Sequence, residues 1–458
     1  MTSYAPILSL ARAGATQPAW DAFIAAGLDR VNEVDALTLM GRLLKDRARL
    51  AAGVDRLALF AQSAASYERA AALRPDSYPL INAAAMSLFA GNRVRSELLA
   101  SKVLHLIESG ADAGETPYWG EATRSEALLL LRRKTDAEAS LAKAVDLAPQ
   151  AWEDHAATLR QMAAILAYGG DNPDWLDSYR PAPCLHFSGI MGIDGNDENS
   201  VQSISNVLAE IKPGFGFGAL AAGADIIIAE MLVKAGAGLH VVLPSEPDDF
   251  RRSSVEPSGQ DWVTRFDHLI ETAQSVTICG NGEPTSTATV KLAEYHAMGR
   301  AVEFATQLET RATALRVGAF DRPRNDDPWL LSKRAIHYVD VPVSLEKLPE
   351  PLPLADLKFE LIIDGDASQC FASLSDSIET LSRAGDAIAA VDCQIDGAPT
   401  HVRALLARGA PGMIVATRDA ALAMLASGIT TSVEPVGEMA TAAGPVGICI
   451  TRLSQTQV

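Results

Sequence analysis

The chain changes character between residues 171 and 182 (DNPDWLDSYRPA), a polar stretch carrying two prolines. Before it, apolar residues recur at three- and four-residue spacing in a background of Ala, Leu, Arg and Glu, the signature of amphipathic helices. After it, short apolar runs alternate with amphipathic segments, as a parallel sheet with helices on both faces requires. No single layer architecture accommodates both patterns, so an all-α N-terminal domain (1–175) followed by α/β structure is expected. A chain of 458 residues exceeds what one core usually supports, which allows two to four domains.

Within the first part, 66–73 (SYERAAAL) ends at Arg74-Pro75 and 138–147 (EASLAKAVDL) at Ala148-Pro149. In both, proline stops a helix whose small-residue face lets a neighbour approach closely, as in the second helix of a helical-hairpin repeat. Such an array presents a concave surface and carries no chemistry, so its expected role is protein contact.

The net charge of −18 argues against general adhesion to nucleic acid or anionic membrane. Arg132-Arg133-Lys134 and Arg251-Arg252 are too short to track a phosphate backbone. No apolar run reaches the roughly 18 residues needed to span a bilayer, and the N-terminus lacks a signal-peptide pattern. Cys184, Cys279, Cys370, Cys393 and Cys449 lie far apart without CxxC spacing, which suggests buried free thiols in a reducing cytoplasm. His186, His240, His268 and His296 are scattered singly, and no metal site is expected among them.

Residues 214–244 (GFGFGALAAGADIIIAEMLVKAGAGLHVVLP) read as a glycine-rich turn, a helix opening on Gly-Ala-Asp, and an apolar strand stopped by proline. A bare turn leading into a helix N-terminus can set backbone N–H groups and a positive dipole end against an anion. Gly214, Gly216 and Gly218 are the candidate backbone contacts, with a tight packing turn as the other reading. Asp225 either bonds ribose hydroxyls or caps helix N–H groups. Ser188 and Gly189, closing the first strand (CLHFSG), would face the ligand. Arg251 and Arg252 either neutralise a phosphate or pair with their own aspartates. Glu230 is the candidate acid on the helix, and a structural role is favoured for it.

Three resemblances follow. Tyr67…Ala71…Pro75…Tyr78-Pro79-Leu80-Ile81-Asn82-Ala83-Ala84, Gly91-Asn92, Tyr118-Trp119 and Glu126-Ala127 resemble the tetratricopeptide-type region of the bacterial TRAFs-binding domain family, over roughly 35–165. Residues 183–341, with Gly218-Ala-Leu-Ala-Ala-Gly-Ala-Asp225 and Val242-Leu243-Pro244, resemble the SLOG superfamily of Rossmann-like nucleotide-binding folds, which includes the LOG phosphoribohydrolases. The Pro-Gly-Gly-x-Gly-Thr-x-x-Glu loop of those hydrolases is absent, so the resemblance implies a nucleotide-sensing pocket, with a nucleotide- or NAD-cleaving hydrolase as the alternative.

After a proline-rich spacer at 342–353, expected to be semi-rigid and exposed, residues 355–458 resemble a shortened class III nucleotide cyclase domain of ferredoxin-like fold. By motif, Asp364 or Asp366 and Asp386 would be the metal aspartates. The Asn-x-x-x-Arg pair is absent and no lysine follows Lys358, which implies a degenerate, dimerising pseudo-enzyme. The whole reads as a cytoplasmic bacterial signalling protein and homodimer.

Overall fold

The computed structural model describes residues 4–110, 116–193, 197–280, 282–319, 328–342, 351–385, 387–395, 400–409, 411–441 and 444–453. Two compact units are present, Met1–Pro181 and Ala182–Val458.

The first unit is helical: α1 (Ala5–Arg12), α2 (Thr16–Ala25), α3 (Val34–Leu50), α4 (Gly53–Leu73), α5 (Ser77–Phe89), α6 (Arg93–Glu108), α7 (Pro117–Leu130), α8 (Lys134–Leu147) and α9 (Trp152–Gly169). From α3 to α8 each helix packs on the next, as stacked hairpins do. α4 and α8 stop ahead of Pro75 and Pro149, where the sequence places their ends. Polar caps restart the chain: Asp76 accepts from the Tyr78 N–H, Asn92 from Arg95 and Thr116 from Trp119. Close approach of α3 and α4 depends on Gly41, whose absent Cβ would lie 2.7 Å from the fully buried Tyr67 ring. The Ser63 hydroxyl donates to the Gly41 carbonyl at 2.6 Å across the same contact.

The second unit holds two sheets. The first runs β1 (Cys184–Gly189), α10 (Glu198–Ile211), β2 (Phe215–Gly218), α11 (Ala224–Lys234), β3 (Gly238–Leu243), α12 (Pro247–Ser254), α13 (Gln260–Thr272), β4 (Ser275–Ile278), α14 (Thr287–Gln307), β5 (Ala312–Gly318), α15 (Pro328–Leu331) and β6 (Ile336–Asp340). All six strands are parallel, in the order β4-β3-β2-β1-β5-β6. Alternate strand residues separate its faces: Leu185, Phe187, Val241 and Leu315 join α11 and α13, whereas Cys184, Phe217, Val242 and Ala314 join α14.

The second sheet follows as β7 (Leu357–Ile363), β8 (Gln369–Phe371), α16 (Leu374–Ser382), β9 (Ala389–Ile395), α17 (Val402–Leu406), β10 (Ile414–Thr417), α18 (Arg418–Ala426), β11 (Glu434–Thr441) and β12 (Gly444–Thr451), in the order β11-β12-β10-β9-β7-β8. A ferredoxin-like sheet is antiparallel throughout, and here the expectation fails: β9 and β10 are adjacent and parallel, joined through the short α17. Alternating apolar runs identify strands but not which neighbours they choose.

α14 belongs to both sheets. Its apolar residues share one core with Phe359, Leu361, Val391 and α18, and Tyr295 meets Phe359 edge-on, with ring centroids 6.0 Å apart. The Arg418 guanidinium forks onto Glu303 at 2.8 and 2.6 Å. The end of the proline-rich spacer is likewise pinned: the Pro353 carbonyl accepts from the Thr287 N–H at 3.1 Å, and the Ala355 N–H and carbonyl both bond the Thr287 hydroxyl at 2.9 Å. Leu354 remains exposed, while residues 343–350 of the expected spacer lie outside the described residues.

Candidate functional site

The strand order reverses between β1 and β5, and in an open parallel sheet the crevice at the C-terminal ends of such strands is where ligands bind. A cavity of about 540 Å³ opens there, within the ~300–1,000 Å³ typical of small-molecule sites. Its floor is the ends of the two central strands, Ser188 and Gly189 from β1 and Arg316, Val317 and Gly318 from β5. One wall is a single stripe of α14, Val290, Ala293, Glu294 and Ala297, spaced by three and four residues. Ala219, Ala221 and Asp225 come from the segment after β2, and Val242, Pro244 and Phe250 from around the end of β3. Most of the lining is apolar, and Ser188, Asp225, Ser254, Glu294 and Arg316 are its polar side chains among the described residues.

Three of the sequence candidates therefore meet: Ser188, Gly189 and Asp225. Gly189 is required by packing, since a Cβ there would lie 2.2 Å from that of Ala224 in the first turn of α11. Gly223, with φ +113°, caps α11 in a backbone conformation that other residues rarely adopt, and a Cβ would press on the Ile190 carbonyl at 2.8 Å. Asp225 reaches back, accepting from the Gly189 N–H at 2.8 Å and the Ala221 N–H at 3.3 Å, so it ties the β1 end to the loop before α11. Burial pushes this carboxyl up to about 8 and Glu294 adds to the rise, against the two N–H bonds and Arg316.

The elevated value has a thermodynamic consequence. Between the unfolded carboxyl's pKa near ~4 and the folded one's, the folded chain holds a proton that the unfolded chain has released. This contribution is fully present below about pH 4 and is lost as pH rises toward 8, by an amount on the order of a few kcal/mol. Asp225→Asn keeps the shape and cannot ionise. The stability of the wild type relative to this variant, followed by urea unfolding, is expected to fall steadily from pH 4 to pH 8. A flat difference would show that the carboxyl is solvated.

The glycine-rich segment departs from expectation. Residues 215–218 form strand β2 rather than a turn, and Gly214, Gly216 and Gly218 are absent from the cavity lining. A Cβ would meet Ala182 Cβ at 2.8 Å from Gly214, Leu232 Cδ1 at 2.3 Å from Gly216, and the Phe187 carbonyl at 2.6 Å from Gly218. These glycines let helix and strands close on one another. Arg251 and Arg252 stand on α12 outside the lining; Arg251 pairs with Asp248, Glu256 and Asp267, and Arg252 with Asp249 at 3.2 Å. Glu230 forks onto Arg265 at 2.8 and 2.7 Å, with that guanidinium 4.1 Å above the Trp262 ring, a structural clasp between α11 and α13.

Arg316 is the residue that sequence reasoning missed. It is buried, stands opposite Ser188 in the β1–β5 register, and its Nη1 donates to His186 Nδ1 at 2.7 Å. A guanidinium can only donate, so Nδ1 accepts and the imidazole is neutral with its proton on Nε2. Burial, reinforced by Arg316, holds His186 well below the usual histidine range, and its ring stacks on Trp329 with centroids 5.7 Å apart. The sequence signal was available: a charged residue at an alternating position of an otherwise apolar strand, Ala314-Leu315-Arg316-Val317.

In the second sheet, Asp364 and Asp366 are exposed in the turn after β7, and Asp386 lies outside the described residues. The five cysteines are free, but only Cys184, Cys279 and Cys449 are buried; Cys370 is exposed on β8, a short strand, and Cys393 is half-buried. Among the described residues no helix is long and apolar enough to cross a membrane.

Residues 2–87 match the family described as tetratricopeptide repeats-sensor. That match starts earlier and ends earlier than the stretch on which the repeat resemblance rests. No curated protein matches the chain, and no solved structure does.

Proposed function

We propose that the protein is a sensor: the helical unit contacts a protein partner, and the second unit binds a nucleotide-derived small molecule in the cavity between β1 and β5. The observation that carries the reading is the position of that cavity at the strand-order reversal, lined by a few convergent polar groups on apolar walls. The tetratricopeptide-type match supports the interaction platform. The polar set refines the ligand. One arginine faces two carboxyl groups, one of them protonated near neutral pH, so the cavity suits a nucleoside or mononucleotide-like body better than a polyphosphate. Hydrogen bonds from Asp225, Glu294, Arg316 and Ser188 would fix its orientation, and Val242, Phe250 and Val290 would cover its apolar faces.

The SLOG-like and cyclase-derived assignments belong to this same reading, with the second sheet as a dimerising module without turnover. Thermal-shift measurements on the full chain with a panel of nucleosides, nucleotides and dinucleotides test it. A stabilising ligand is expected, and Ala221→Phe, which fills the cavity, is expected to abolish the shift. Absence of any shift across the panel rejects the sensing claim. One observation favours a second reading: two carboxyl groups share the cavity, as N-glycosidic hydrolysis requires of an acid and a stabiliser. Turnover of NAD or a nucleoside monophosphate, removed by Glu294→Gln, would establish the hydrolase instead.

A further inference from the structure

Away from the cavity wall, the fold gathers three residues that the sequence keeps far apart. The Cys279 thiol, one ring nitrogen of His296 and one carboxylate oxygen of Asp419 all lie within 4.8 Å of one another. Cys279 follows the last residue of β4, His296 is in the middle of α14, and Asp419 is in the first turn of α18. We propose that these three side chains form a structural zinc site that fastens the edge of the first sheet to the second through α14.

Placement of the donors is firm. The Cys279 N–H donates to the Leu243 carbonyl at 2.8 Å, and Gly280 then turns the chain at φ +83° where a Cβ would lie 2.8 Å from the Pro244 carbonyl. The thiol is 2 % exposed and His296 is 6 % exposed. Asp419 Oδ1 is 2.7 Å from His296 Nδ1, so imidazole and carboxylate already face each other. Tetrahedral zinc holds sulfur, nitrogen and oxygen donors roughly 3.3–3.8 Å apart, so the carboxylate and imidazole, now hydrogen-bonded, would part slightly to admit the ion and the wider separations would close, adjustments of about an ångström that side-chain rotation supplies.

The donor set selects the ion. A thiolate excludes magnesium and calcium, which take oxygen ligands, and one sulfur, one nitrogen and one oxygen suit zinc. A water molecule fills the fourth position. Burial separates this arrangement from a catalytic Cys-His-Asp triad, because a thiol so covered meets no substrate, whereas structural zinc sites are closed. On binding, the thiol proton leaves to solvent and the thiolate sulfur bonds the ion.

The full chain, reduced and stripped with chelator, is titrated with Co²⁺ and then with Zn²⁺. One equivalent of cobalt is expected to bind with thiolate-to-metal charge-transfer absorption, and zinc is expected to displace it. Cys279→Ser removes that absorption, whereas Cys370→Ser, at an exposed thiol of β8, retains it. His296→Asn and Asp419→Asn each weaken cobalt binding by at least ~100-fold. No thiolate absorption in the wild type, or its persistence in Cys279→Ser, overturns the site. Should Cys279→Ser fail to fold, Asp419→Asn decides: its residue is partly exposed, and unchanged cobalt affinity in that variant refutes the assignment.

Discussion

Arg316→Met is expected to destabilise the second unit by roughly 1–3 kcal/mol, the range for leaving a buried acceptor without its donor. The methionine fills most of the volume, so the loss is chiefly electrostatic. His186 Nδ1 loses its 2.7 Å donor inside an apolar surround, and an acceptor buried without a partner costs roughly 1–3 kcal/mol. Asp225 loses the cation that favours its ionised form, and its carboxyl rises further above about 8. Urea unfolding at neutral pH measures the loss. Arg316→Lys is expected to recover only part of it, since a point charge on a flexible stem cannot reproduce the planar fork. A loss below ~1 kcal/mol would mean that water reaches the guanidinium after all.

Gly299→Val is expected to be comparably damaging for a different reason. A Cβ at Gly299 would stand 2.4 Å from the Leu422 carbonyl oxygen and 2.7 Å from the Leu422 Cβ, so α14 and α18 would have to part. Backbone cannot rotate aside as a side-chain tip can. Overpacking of this kind costs ~1–3 kcal/mol and occasionally more, and here the Arg418–Glu303 fork and the Tyr295–Phe359 contact lie along the same interface. Gly120→Ala provides the control, being a helical glycine of α7 with open space where the Cβ would go. There a gain of ~0.4–1 kcal/mol is expected from the reduced freedom of the unfolded chain. Equal behaviour of the two variants in urea unfolding would contradict the packing argument.

What the sequence disclosed was periodicity. The helical array, the parallel sheet and the place of β1 followed from apolar spacing and from prolines, because burial of one face imposes that spacing directly. β2 escaped because a strand of alternating glycine, Phe215-Gly216-Phe217-Gly218, has the composition of a turn, and only the neighbours Leu232 and Phe187 explain the missing side chains. Ser188, Gly189 and Asp225 were legible as a group since strand ends and helix starts are local features. Arg316 was not, because its partner His186 is 130 residues away. The same holds for His296 and Asp419, separated by 123 residues and joined only when the second sheet packs on α14.

α14 shows one stripe to the cavity, Val290, Ala293, Glu294 and Ala297, and another to the second sheet, Tyr295, Gly299 and Glu303. It is therefore a lever with its load and its fulcrum on neighbouring sides. A rotation of a few degrees about its axis, too small to disturb either sheet's own hydrogen bonds, would shift what Phe359, Leu422 and Arg418 rest on. Occupancy at the strand ends could be read in the remote sheet without any flexible linker to carry the message, provided the ligand prefers one of the two settings.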